Sequence, residues 1–220
     1  NGLGHGVFLA PMAGVTDHTY RTICKSFGAE FLVTEMISSK GVYFNDKKTA
    51  RLARIEKGEM PAGVQIFGHE PEIMAHAAQK LVALDYNGCV SEVAPDFVDI
   101  NMGCPVPKIY KNGEGSALLE NPALAEKIVK ECVKSGKTIT VKFRIGVTQD
   151  KLVTKEFAKR MAGAGASLIT VHGRTKDKIY AGEVNFSQIE EAKKAVQIPV
   201  IANGGVFSQK DADELLDKTG

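Results

Sequence analysis

The stretch FVDINMGCPVPK, residues 97–108, carries the clearest structural punctuation in the chain. A short apolar run rich in Val, Ile and Phe ends at Asn101. A Gly turn follows and presents Cys104 ahead of Pro105. Apolar runs of this length bounded by turn residues read as buried strands. Six other runs share the pattern: VFLAP (7–11), FLVT (31–34), GVQIF (63–67), TITVKFR (138–144), SLITV (167–171) and PVIA (199–202). Seven strands are expected. Helical periodicity falls between them, at residues 70–84, 122–134, 154–162, 187–196 and 208–216. The last opens on Ser-Gln-Lys-Asp, close to a capping box.

Strands spaced by a βαβ crossover length, and apolar on both faces, describe a parallel sheet. An open doubly wound sheet and a (β/α)₈ barrel both fit that repeat. The polar groups at the strand ends favour the barrel. They are Pro11-Met12-Ala13, Thr34-Glu35-Met36, Gln65, Asn101, Lys142 with Arg144, His172 with Arg174, and Asn203-Gly204-Gly205. An open sheet gathers ligand contacts at one switch point, whereas a barrel brings every strand end around one axis. The fold expected is therefore a TIM (β/α)₈ barrel, one domain over residues 1–220, ending before an eighth strand. The longest connections, residues 37–60 and 102–121, would be loops of the catalytic face. Residues 85–95 fall on the opposite face without an assigned role.

The 220 residues are 44% hydrophobic and 25% charged, with 22 Gly, 8 Pro and no Trp. That excludes disorder, collagen and coiled coil. No apolar run reaches the roughly 20 residues of a membrane span. The opening NGLGHGVFLAP lacks the basic flank of a signal peptide. A cytoplasmic location and no membrane contact are expected. The net charge of +2 is too small for a whole-surface polyanion field, so any such partner must meet a local patch. Cys24, Cys89, Cys104 and Cys132 have no zinc or redox spacing, and no metal is expected. At Cys24, Cys89 and Cys132 a small buried hydrophobe is the reading. Cys104, on a rigid corner at the barrel mouth, reads as functional. Lys108 and Lys111 could lower its pKa, whereas a thiol serving as an acid must keep its proton.

LAPMAGVTDHTYR, VQIFG, FVDINMGCPVPKIYKNGEGSALL, ITVKFRIG, TVHGRT and IPVIANGGV resemble, in order, the motifs of the tRNA-dihydrouridine synthases. The resemblance runs from about residue 7 to the end. It implies an FMN-dependent barrel that reduces uridine in tRNA to 5,6-dihydrouridine with NADPH, Cys104 protonating C5. It also implies that Pro11, Met12 and Ala13 lie beside the flavin and that Gln65 hydrogen-bonds its pyrimidine side. Lys142 would sit near N1 and the C2 carbonyl, and His172 would contact ring or phosphate. Asn203, Gly204 and Gly205 would offer backbone N–H groups to the phosphate. Asn101, Arg144, Arg174 and Lys108 are the candidate substrate contacts. Lys108, Lys111, Arg144, Arg174, Lys176 and Lys178 would form a basic rim for the RNA.

Plainer roles compete at each position. Gln65 and Asn203 could cap strand ends, Lys142 could form an ion pair, His172 could satisfy a carbonyl, and Asp177 and Glu114 could pair with the rim. Two other functions also fit the residues: an FMN barrel acting on a free pyrimidine or enone, and a non-catalytic RNA-binding barrel. In the family an eighth strand bears a Gly-Arg pair on the phosphate, and a helical tRNA-binding domain follows. Neither is in this sequence. Weakened FMN and tRNA binding, and self-association through open barrel edges, are the expectations.

Overall fold

In the computed structural model, which describes residues 6–220, six parallel strands pair in strict chain order. They are β1 (Leu32–Ser38), β2 (Ala62–Phe67), β3 (Phe97–Met102), β4 (Thr138–Arg144), β5 (Leu168–His172) and β6 (Val200–Asn203). A doubly wound sheet reverses its strand order at a switch point, and this one does not. Residues 8–11 and 201–203 also line the same cavity as Asp99 and Thr140. The sheet therefore curls until its two ends face one space, which is the barrel arrangement.

Alternation along the strands divides the residues between two environments. Val98, Ile100, Met102, Ile139, Val141, Phe143, Ile169 and Val171 are buried in one core with residues of the surrounding helices. The residues between them, Phe97, Asp99, Thr140, Lys142, Leu168 and Thr170, line the barrel cavity. Phe97 fills the floor because Gly63 leaves room. A Cβ on Gly63 would come to 2.3 Å from the Phe97 ring.

The helices are α1 (His18–Ser26), α2 (Ser39–Tyr43), α3 (Lys47–Leu52), α4 (Pro71–Ala83), α5 (Pro107–Lys111), α6 (Pro122–Val133), α7 (Thr154–Gly163), α8 (Phe186–Ala195) and α9 (Gln209–Thr219). In α6 the Asn121 side chain accepts from Leu124 N, and Pro122 occupies the first turn, where a missing N–H costs nothing. Its buried face is Ala125, Ile128, Val129 and Cys132, the i, i+3, i+4, i+7 stripe. Truncating Ile128 there would cost about 2–5 kcal/mol. In α9 Ser208 accepts from Asp211 N, while Asp211 accepts from Phe207 N, one residue short of a full capping box.

Helix α1 was not expected. Its apolar stripe, Tyr20, Ile23, Cys24 and Phe27, is left largely exposed and does not dock it. It is anchored instead by buried Arg21, whose Nε donates to Glu59 at 2.6 Å and whose other nitrogens donate to the carbonyls of Thr16 and Arg54. Residues 85–95 also acquire a role. Ser91 Oγ donates to Ala53 O at 2.8 Å and accepts from Ile55 N, and Glu92 N donates to Ile55 O. The segment thus ties down the approach to β2.

Two expectations are corrected. The run at 7–11 forms only a single parallel bridge, Phe8 to Phe31, so six strands replace seven. Its last backbone bond to the neighbouring segment is Leu9 N to Phe31 O. The run at 31–34 continues to Ser38 through an irregularity between Val33 and Met36, and α2 and α3 occupy the loop expected after it.

Candidate active site

Parallel register sets the side chains of the site in rows. Gln65 pairs with Asp99 and Asp99 with Thr140, so three inward side chains stand abreast on β2, β3 and β4. Thr140 Oγ1 donates to Asp99 Oδ1 at 2.5 Å, and Gln65 Nε2 donates to Asp99 Oδ2 at 2.7 Å. Asn101 Nδ2 donates to Gln65 Oε1 at 2.9 Å. Asn101 Oδ1 in turn accepts from Gly103 N at 3.1 Å and Cys104 N at 2.9 Å. One hydrogen-bond chain therefore runs from the barrel interior to the Gly-Cys corner.

The second cluster spans β4 to β6. Lys142 Nζ donates to Asn203 Oδ1 at 2.8 Å. Burial pushes the Lys142 ammonium down to about 8, with Arg144 adding to the effect and Asp99 opposing it. Burial likewise raises the Asp99 carboxyl, against its hydrogen bonds and Lys142. His172 lies well below the ordinary histidine range, through burial first and then Lys142, Arg144 and Arg174, so its ring is neutral at neutral pH. Beside it, Gly204 and Gly205 have φ of +113° and +74°. A Cβ on Gly204 would come to 2.7 Å from His172 Cδ2, and one on Gly205 to 2.9 Å from Val184. Only glycine permits this backbone beside the ring. Arg174 Nε donates to Gly182 O at 2.9 Å, with Nη1 3.5 Å from His172 Nε2.

Between them these contacts use most of the cluster's acceptors and leave donors. Lys142 keeps two N–H groups and Gln65 one. The Gln65 oxygen accepts from Asn101 and keeps one lone pair free. The cavity, about 60 Å³ within the barrel, opens among Pro11, Lys142 and Asn203. Met12 and Ala13 are exposed; Met12 N donates to Thr16 Oγ1, and Gly14 N donates to Glu35 on β1.

Cys104 is nearly buried at 9% exposure. Its carbonyl accepts from both N and Oγ of Ser116, so the corner is held from both sides. Burial raises the thiol above its ordinary value; a backbone hydrogen bond at Val106 and the Arg144 charge oppose this. The cation acting on it is thus Arg144 rather than Lys108 or Lys111, and the thiol keeps its proton. Arg144 is itself buried, with its guanidinium 5.9 Å from the Tyr180 ring. Lys108, on α5, is exposed and forms no side-chain hydrogen bond or ion pair among the described residues.

Lys108, Lys111, Arg174, Lys176 and Lys178 form no ion pair among the described residues. Glu114 faces His69 instead, and Asp177 accepts from Thr175. Lys176 lies 4.0 Å from the Tyr110 ring centroid. Asp99, Thr140 and Tyr180 went unnoticed in the sequence. For Asp99 a signal existed: an acid between Val98 and Ile100 in an apolar run needs a buried partner.

A parallel βα barrel whose strand-end face brings together a buried lysine, a glycine corner after β6 and a buried thiol defines the class of fold and site. The chain belongs to the dihydrouridine synthase (Dus) family, whose model matches residues 8–220. It is 41% identical over 216 residues to the probable tRNA-dihydrouridine synthase 1 of Synechocystis sp., covering 97% of this chain and 58% of that protein. It is 39% identical over 220 residues to tRNA-dihydrouridine synthase B of Pseudomonas aeruginosa, covering 99% and 63%. The chain thus spans about three fifths of the length of these curated relatives. Among solved structures, FabK from Thermotoga maritima shares the fold with a TM-score of 0.56 at 14% identity, over 99% of this chain and 56% of that one.

Proposed function

We propose that the chain is the barrel of a flavin-dependent tRNA-dihydrouridine synthase, which uses FMN and NADPH to reduce the C5–C6 bond of uridine in cytoplasmic tRNA. The supporting observation is the donor-rich strand-end face beside a thiol that keeps its proton. The residues fit FMN. The glycine cradle at Gly204 and Gly205 has no room for a Cβ, as close approach of a phosphate requires. Lys142 and Gln65 retain N–H groups for a ring edge rich in carbonyl oxygens. Pro11 lines the barrel cavity with Met12 and Ala13 exposed just after it, and His172 and Asn203 flank the cradle.

When bound, FMN reduced by NADPH supplies the hydride that reaches C6 of the uracil. Cys104 holds the proton at Sγ and delivers it to C5. Asn101 and Arg144 fix the corner that carries the thiol. Lys142 supplies positive charge where negative charge collects on a reduced flavin. Arg174 and Lys108, with the other unpaired rim cations, meet the RNA backbone, and the target base leaves its stack to enter.

Titration of the chain with FMN, followed by quenching of flavin fluorescence, tests the cofactor. Saturable quenching that Lys142→Met weakens is expected. Unquenched flavin at all protein concentrations would refute the reading.

A further inference from the structure

Asp99 has no role in the reaction as described, yet both of its oxygens are committed. One accepts from Thr140 and the other from Gln65, inside a barrel where the side chain is 4% exposed. A carboxylate only accepts hydrogen bonds, so it forces the Gln65 amide to turn its nitrogen downward and its oxygen toward Asn101. That oxygen in turn takes the Asn101 nitrogen and directs Asn101 Oδ1 at the N–H groups of Gly103 and Cys104. The opposite polarity would set the Asn101 nitrogen against two backbone donors. The chain thus has one allowed direction, set by a pure acceptor at one end and by two backbone donors at the other.

We propose that Asp99 is the positioning residue of the Cys104 corner: its carboxylate orients Gln65, Gln65 orients Asn101, and Asn101 holds the backbone that carries the thiol. This rests on the reading of Cys104 as the proton donor of the proposed reaction. Thr140 is part of the same device, because its hydroxyl fixes the second carboxylate oxygen and keeps the first aligned with Gln65.

Alkylation of the folded chain by iodoacetamide, scored cysteine by cysteine with peptide mass spectrometry, tests the proposal without FMN or tRNA. Cys132, fully buried against the core from α6, is the internal control for general loosening. Asp99→Ala is expected to raise the Cys104 rate about tenfold, the factor worth one net hydrogen bond, with Cys132 unchanged. Asp99→Asn keeps a carbonyl acceptor for Gln65 and can donate to Thr140 Oγ1, so it should return Cys104 close to the parent rate. Asn101→Ala cuts the last link and should match Asp99→Ala. A parent-like Cys104 rate in either alanine variant, a parallel rise at Cys132, or no rescue by Asn would each overturn the proposal. Failure of the chain to quench FMN would sink the proposed function and leave this result standing by itself.

Discussion

Arg144 on β4 donates from Nε to the carbonyl oxygen of Gly103 at 2.9 Å, and so grips the loop that carries the thiol from the neighbouring strand. Its Nη1 donates to the carbonyls of Ile179 at 2.7 Å and Thr175 at 3.2 Å. One buried guanidinium therefore fastens two loops of the strand-end face together. Arg144→Met would leave these buried carbonyls unpaired, at a cost of about 2–4 kcal/mol in urea unfolding. Faster proteolysis around residues 175–182 should accompany it. Parent-like stability and proteolysis would show that water replaces the guanidinium without loss.

Gly204→Ala places a methyl group against the His172 ring at a φ of +113°. The strain is local, on the order of 1–2 kcal/mol. FMN affinity is expected to fall about tenfold in a fluorescence titration, with thermal stability lowered only slightly. Unchanged affinity would remove this corner from the cofactor site.

Gly63→Ala acts at the other end of the barrel, where its Cβ would overlap the Phe97 ring. Overpacking there should cost about 1–3 kcal/mol by denaturant titration. Phe97→Leu in the same chain should recover part of it, a coupling that a double-mutant cycle measures.

His172 has its pKa lowered from 6.5, and a depressed base binds fewer protons folded than unfolded. Stability is therefore unaffected above 6.5 and declines as the pH drops below it. Lys142, lowered from 10.5 to about 8, has the same sign: stability rises with pH between about 8 and 10.5. Over that window its ammonium is lost in the folded chain, so FMN affinity should weaken as stability improves. Urea midpoints across pH, compared with His172→Asn and Lys142→Met, should lose the respective slopes.

The parts of the fold legible in the sequence are those set by short-range rules. Helix α6 shows its Asn121 cap, its Pro122 and its buried stripe in consecutive residues, and β3 and β4 show their apolar runs. Helix α1 was hidden because its anchor, Arg21 to Glu59, joins residues 38 apart. Residues 7–11 look like a strand but make one bridge, since pairing depends on a neighbour the run itself does not specify.

In the site, sequence position located Gln65, Asn101, Lys142, His172 and Asn203 at strand ends but could not say what each faces. Arg144 looked like a substrate contact, and its partners are backbone carbonyls 31 to 41 residues away. The lysines nearest Cys104 in sequence are not the cation acting on it. Asp99 acquires meaning only from the register of β2, β3 and β4.

In the proposed reaction Cys104 supplies a proton during NADPH-driven reduction of uridine in tRNA. Nucleoside mass spectrometry of tRNA from a strain lacking its own dihydrouridine, after incubation with the protein, FMN and NADPH, tests it most directly. Dihydrouridine is expected with the parent chain and at least about a hundredfold less in the same time with Cys104→Ala, whose FMN binding is expected to be unchanged. Equal dihydrouridine from both proteins, or none from a parent chain that has bound FMN, would contradict it.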